Sequence, residues 1–78
     1  MTLEIISAHE VVFTGEVVSV TMPGQMGSFT VLKDHAPLIS VLVKGKVRYT
    51  DPKGETGSFE IAGGVADVNN NVISVCVY

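Results

Sequence analysis

The sequence predicts an all-β fold: a flattened sandwich or barrel of about eight to ten short strands, with no substantial helix. Three observations lead there. The apolar content is β-branched, with 14 Val, 5 Ile and 6 Thr against 4 Leu and 4 Ala, and such residues favour pleated strands over helices. Eight Gly and three Pro punctuate the chain at short intervals. No segment keeps apolar residues at a 3.6-residue period, which an amphipathic helix requires.

The elements follow in order. Thr2–Ile6 reads as a first strand and Glu10–Phe13 as a second, ended by Gly15. Glu16–Met22 alternates, with Val18, Val20 and Met22 expected on one face and Val17, Ser19 and Thr21 on the other. Pro23-Gly24 is expected to stop it, and Gln25-Met26-Gly27 to continue the loop. Ser28–Leu32 is a short strand, and Lys33–Pro37 an irregular corner. Leu38–Val43 is nearly all apolar and predicts a strand covered on both faces. Lys46–Thr50 and Gly57–Ala62 form a hairpin around Asp51-Pro52-Lys53-Gly54, with Phe59 and Ile61 inward. Gly63-Gly64 permits a kink or a close backbone approach. Val65–Val68 and Asn71–Val77 are joined at Asn69-Asn70, since Asn tolerates left-handed backbone. Ile73, Val75 and Val77 share one face, and Phe13, Phe29, Tyr49 and Phe59 read as inward. Strands this numerous close on themselves to limit free edges.

Size and charge narrow the function. The 78 residues are expected to form one domain, 1–78, too small for two lobes around a cleft. Five Lys and Arg against eight Asp and Glu give a net charge of −3, no footprint for nucleic acid. All five basic residues lie between Lys33 and Lys53; solvated strand faces explain this better than a basic edge for an acidic partner. The single cysteine allows no internal disulfide and favours a reducing compartment. The start lacks a signal-peptide pattern, and no apolar run nears the ~20 residues of a membrane helix, so no direct membrane insertion is expected.

Catalytic chemistry is not legible. His9, His35 and Cys76 sit at unrelated spacings, so no metal site is expected. Cys76, inside an apolar strand, reads as a small buried hydrophobe. No G-x-S-x-G elbow and no phosphate loop occur. Asp34 beside His35 reads as an ordinary local loop pair. These absences predict a non-enzyme with no cofactor. What remains is surface. Two loops carry apolar groups: Pro23-Gly24-Gln25-Met26-Gly27-Ser28 and Asp34-His35-Ala36-Pro37-Leu38-Ile39. Met26 either tucks into the core or anchors an interface, while Ala36 and Pro37 read as shaping a corner.

Five segments, in order, carry a resemblance. They are Phe13-x-Gly15-Glu16-Val17-x-Ser19-Val20, Pro23-Gly24-x-x-Gly27-Ser28-Phe29, His35-Ala36-Pro37-Leu38-Ile39, Gly45-x-Val47-Arg48-Tyr49 and Gly63-Gly64-x-x-x-Val68-Asn69-Asn70-Asn71-Val72. Together they resemble the amino-terminal β-sandwich of the ε subunit of F-type ATP synthase, almost end to end. The resemblance implies a non-catalytic rotor subunit of a proton-driven synthase, coupling the γ subunit to the membrane c-ring. It implies a peripheral place on the cytoplasmic face of a bacterial plasma membrane. Carried over by position, Pro23, Gly24, Gln25, Met26, Gly27 and Ser28 correspond to the c-ring contact. Ser7, His35, Ala36, Pro37, Leu38 and Ile39 correspond to the γ-facing region.

Two departures matter. Family members commonly continue into a helical hairpin that inhibits rotation and, in some bacteria, binds ATP. A chain ending at Tyr78 is expected to lack both properties. Thr30 and Lys33 stand where the family often carries Gly and Pro, so the contact loops are expected to differ in shape. Two rival classes remain: a stand-alone sandwich binding a peptide or small ligand, which calls for surface aromatics, and a jelly-roll enzyme, which calls for metal ligands.

Overall fold

The computed structural model describes residues 1–78 and contains no helix. Nine strands follow one another: β1 (Thr2–Ile6), β2 (Val11–Glu16), β3 (Ser19–Gly24), β4 (Gly27–Leu32), β5 (Leu38–Leu42), β6 (Gly45–Thr50), β7 (Thr56–Ile61), β8 (Gly64–Asn69) and β9 (Val72–Val77). They hydrogen-bond in the order β2-β1-β9-β8-β5-β3-β6-β7, with β4 also paired to β3. All pairings are antiparallel except β1 with β9.

The sheet curls so that β2-β1-β9-β8-β5 and β4-β3-β6-β7 enclose one core. The halves meet edge to edge where β3 turns from β6 to β5, at the Gly24–Leu42 pair. Leu3, Ile5, Leu42, Ala66, Val68, Ile73 and Val75 enter the core from the first half; Val20, Met22, Val31, Val47 and Ile61 enter from the second. The far side is closed by aromatic contacts: Phe13 of β2 lies 4.9 Å from Tyr49 of β6 and 5.3 Å from Phe59 of β7, ring centre to ring centre. These rings and Phe29 are half-buried against the core rather than sealed within it.

The turns have local causes. Asp51 Oδ1 accepts the Lys53 and Glu55 amides at 2.9 and 2.8 Å, and Gly54 takes φ 85°, so the β6–β7 hairpin closes on its own side chain. Asn70 and Asn71 both take positive φ, 50° and 61°, as a two-residue hairpin with the right-handed strand twist requires. That turn lies one residue beyond the predicted Asn69-Asn70. At Gly64 a Cβ would sit 2.2 Å from the Cys76 carbonyl oxygen, the close approach anticipated for Gly63-Gly64.

Several expectations are corrected. Gly15 lies within β2, and the break falls at Val17-Val18, where the Val17 amide donates to Met1 O and the Val18 amide to Thr50 O. Val17 is therefore buried and Val18 exposed, against the predicted alternation. Pro23 and Gly24 do not form a turn beyond β3; they are its last two residues and pair with Ser28 and Gly27 of β4. Only Gln25 and Met26 form the connection. Strand β5 is covered on one face, since Ile39 and Val41 point outward. Cys76 is exposed, not buried, because the alternation of β9 sends Ile73 and Val75 inward.

Candidate partner-binding surface

Strand alternation places the surface groups. On β5, β8, β9 and β1, the residues that do not enter the core face outward together. The registers align Val41 with Val65, Val65 with Cys76, Cys76 with Ile6, and Ile6 with Val11. One row across five strands is thus apolar from end to end, about 19 Å at the usual strand spacing. Val11, Val41 and Val65 are exposed at 58%, 48% and 39%. The next row, Ile39–Asp67–Ser74–Glu4–Thr14, begins with Ile39 at 75%. Such a face is unusual on a strand set whose other side already fills a core.

The residues singled out in the sequence border this face. Met26 is fully exposed at 99% on the β3–β4 tip, which settles it as surface rather than core. Gln25 and Ser28 are exposed with it, Gly27 takes φ 125°, Pro23 is half-buried and Gly24 buried. The tip lies against one end of β5, where the Gln25 amide donates to Val41 O and the Val43 amide to Pro23 O, both at 2.9 Å. The corner His35-Ala36-Pro37 lies beyond the opposite end of β5 and is exposed. A shallow depression of about 400 Å³ adjoins it, lined by Pro37, Leu38, Ile39, Asp67, Val68 and Asn69. Ser7 follows β1 at the same end as the Met26 tip; its amide and hydroxyl both donate to Glu10 O. Ser7 and His35 therefore do not meet. The apolar row and Ile39 lie between them.

Val41, Val65, Cys76, Ile6 and Val11 escaped the sequence reading. Cys76 reads as buried and Val41 falls in a strand expected to be covered on both faces, while Ile6, Val11 and Val65 are given no face, because the outward row is as apolar as the inward one. Register alone separates them, and the bulge between Ile5 and Ile6 cannot be read from one sequence. The local pair that Asp34 could have made with His35 does not form either. Asp34 bonds Asn71, and His35 Nδ1 lies 2.7 Å from Ala36 O.

Charge interactions are sparse. The Thr2 hydroxyl donates to Glu16 Oε1 at 2.8 Å, and the Met1 ammonium lies 3.3 Å from Oε2. The hydroxyl first, and then the ammonium, hold the Glu16 carboxyl below its ordinary range. No three His, Cys, Asp or Glu side chains gather where they could hold a metal.

The family model for the ATP synthase Delta/Epsilon chain β-sandwich domain matches residues 1–78. The chain belongs to that family. Among ATP synthase ε chains, the protein of Chlorobaculum tepidum is 44% identical over 70 residues, spanning 90% of this chain and 80% of the relative. That of Stenotrophomonas maltophilia is 40% identical over 72 residues, 92% of this chain but 51% of the relative. The chain thus spans most of one ε relative and about half of the other. A chain in the cryo-EM structure of the Euglena gracilis mitochondrial ATP synthase (OSCP, F1 and c-ring) superposes at TM-score 0.89 with 25% identity, over 96% of this chain and 48% of that one. A chain of the Tetrahymena thermophila central stalk and c-ring shares the fold at TM-score 0.80 and 17% identity, over 99% of this chain and 62% of that one.

Proposed function

We propose that this chain is a non-catalytic rotor subunit of a proton-driven F-type ATP synthase, coupling the γ subunit to the membrane c-ring from the cytoplasmic side. The observation that carries the reading is the outward apolar row Val41–Val65–Cys76–Ile6–Val11. A sheet that is apolar on both faces is suited to a second packing partner. The γ subunit takes the face between Ser7 and the His35–Ile39 segment. The c-ring takes the Met26 tip, with Pro23, Gly24, Gln25, Gly27 and Ser28 setting its shape. Because the tip is hydrogen-bonded to β5, the two contacts share one rigid strand, and load passes between them through close-packed core. The role asks for stiffness and needs no reaction at this chain.

A ligand-binding sandwich finds less support. Phe13, Tyr49 and Phe59 pack on one another across the halves, and of the three Tyr49 alone also lines a surface depression. The largest depression, about 460 Å³, is lined mainly by hydroxyl groups with Lys46 and Arg48, unlike the mostly apolar lining of small-molecule sites.

The test is size-exclusion chromatography of the chain with the γ subunit of the same assembly. The reading expects co-elution, lost on Val41→Asp while the variant keeps its fold by circular dichroism. Separate elution of the unmodified chain, or full binding by Val41→Asp, overturns it.

A further inference from the structure

Asp34 has a left-handed backbone, φ 63°, without being glycine. It is the third residue of a turn closed by the His35 amide donating to Leu32 O at 3.2 Å, and positive φ at that position ordinarily selects Gly or Asn. Its contacts account for the exception. The Asp34 amide donates to Asn71 Oδ1 at 2.7 Å, and Asn71 Nδ2 donates to Asp34 Oδ1 at 3.0 Å. Asn71 is itself left-handed, and its carbonyl accepts the Thr2 amide at 2.9 Å. One side chain thus joins the β4–β5 corner to the β8–β9 turn, 37 residues away in sequence, while its backbone holds the start of β1.

The clasp joins the two chain segments that lead into and out of the depression beside Ile39. Its two walls are Pro37–Ile39, led in by the corner that Asp34 begins, and Asp67–Asn69, which runs into the turn holding Asn71. The strand ladder aligns Leu38 with Val68 and Ile39 with Asp67, but no ladder bond fixes His35, Ala36 or Pro37. We propose that Asp34 and Asn71 are positioning residues: their reciprocal hydrogen bonds hold the corner over the β8–β9 turn in the one arrangement that receives an apolar side chain of the γ subunit. This rests on the rotor reading above. It assigns the clasp a role in binding in addition to any role in folding.

Asn71→Gly removes both bonds yet suits the left-handed backbone, so the turn is kept. In the free chain, hydrogen exchange at the Asp34 amide is expected to accelerate about tenfold or more, while core amides such as Val68 and Val75 are little changed. Binding to γ is expected to weaken about fivefold to tenfold, the scale of a lost hydrogen-bonded constraint. The swap Asp34→Asn with Asn71→Asp rebuilds donor and acceptor in reverse and is expected to restore both readouts. The single change Asn71→Asp sets two carboxylates together and is expected to weaken binding. Unchanged exchange at Asp34, unchanged γ affinity in Asn71→Gly, or a swap that fails to rescue overturns the proposal. Failure of the rotor reading is separate: there the unmodified chain does not bind γ, or Val41→Asp binds normally, whatever the exchange at Asp34.

Discussion

Met22 and Met26 are four residues apart and chemically identical, and their surroundings assign them opposite work. Met22 is wholly buried between the halves; Met26 stands fully in solvent at the hairpin tip. Met22→Ala should cost about 2–5 kcal/mol of stability in urea unfolding, as a large-to-small core change does. Met26→Ala should leave stability within about 0.5 kcal/mol and instead weaken binding to the c-ring by about 1–3 kcal/mol. Binding is checked on the assembled γ–c-ring rotor. Glu16 offers a pH test. Its folded carboxyl titrates below the ordinary carboxylate range, so its contribution is present above the unfolded pKa. That contribution is lost as pH falls through the folded value. Glu16→Gln should therefore lower stability slightly at neutral pH and leave the acid end little altered, so that the profile flattens as its neutral plateau falls, as thermal melts from acid to neutral pH would read.

At the scale of elements, the strands were legible because β-branched residues and Gly or Pro breaks recur at regular spacing. Nine strands stand where eight to ten were expected. Boundaries slipped where backbone pairing overrode local signals. Pro23 ordinarily stops a strand, but it has no amide to contribute and its carbonyl accepts from Val43, so β3 runs through it to Gly24. Gly15 looked like a break, yet it sits opposite Leu3 within the β1–β2 ladder. Gly64 met its expectation of close approach. Gly64→Ala should push β9 away from β8 and cost roughly 1–3 kcal/mol, as overpacking does, with faster amide exchange at Cys76 and Val77. The two candidate loops were identifiable because apolar and turn residues mix there. The face between them was not, because nothing in the alternation of Leu38–Val43 says which side a second layer covers.

At the scale of the molecule, the chain is a brick of 28 × 24 × 19 Å with its two candidate contacts at opposite ends of β5 and an apolar row between. The corner at Pro37 and the tip beyond Pro23 both reach solvent, as a coupling role demands. The cysteine misread as core is useful here. Cys76 is the single thiol, exposed in the middle of that row, with Val65 on one side and Ile6 on the other. Any protein seated across the face must cover it. The most direct measurement is therefore the rate at which a maleimide modifies Cys76, followed by intact mass, in the free chain and in complex with γ. Ready labelling of the free chain and strong protection in the complex are predicted. Equal labelling in both states would contradict the assignment of the β5–β8–β9–β1–β2 face to γ.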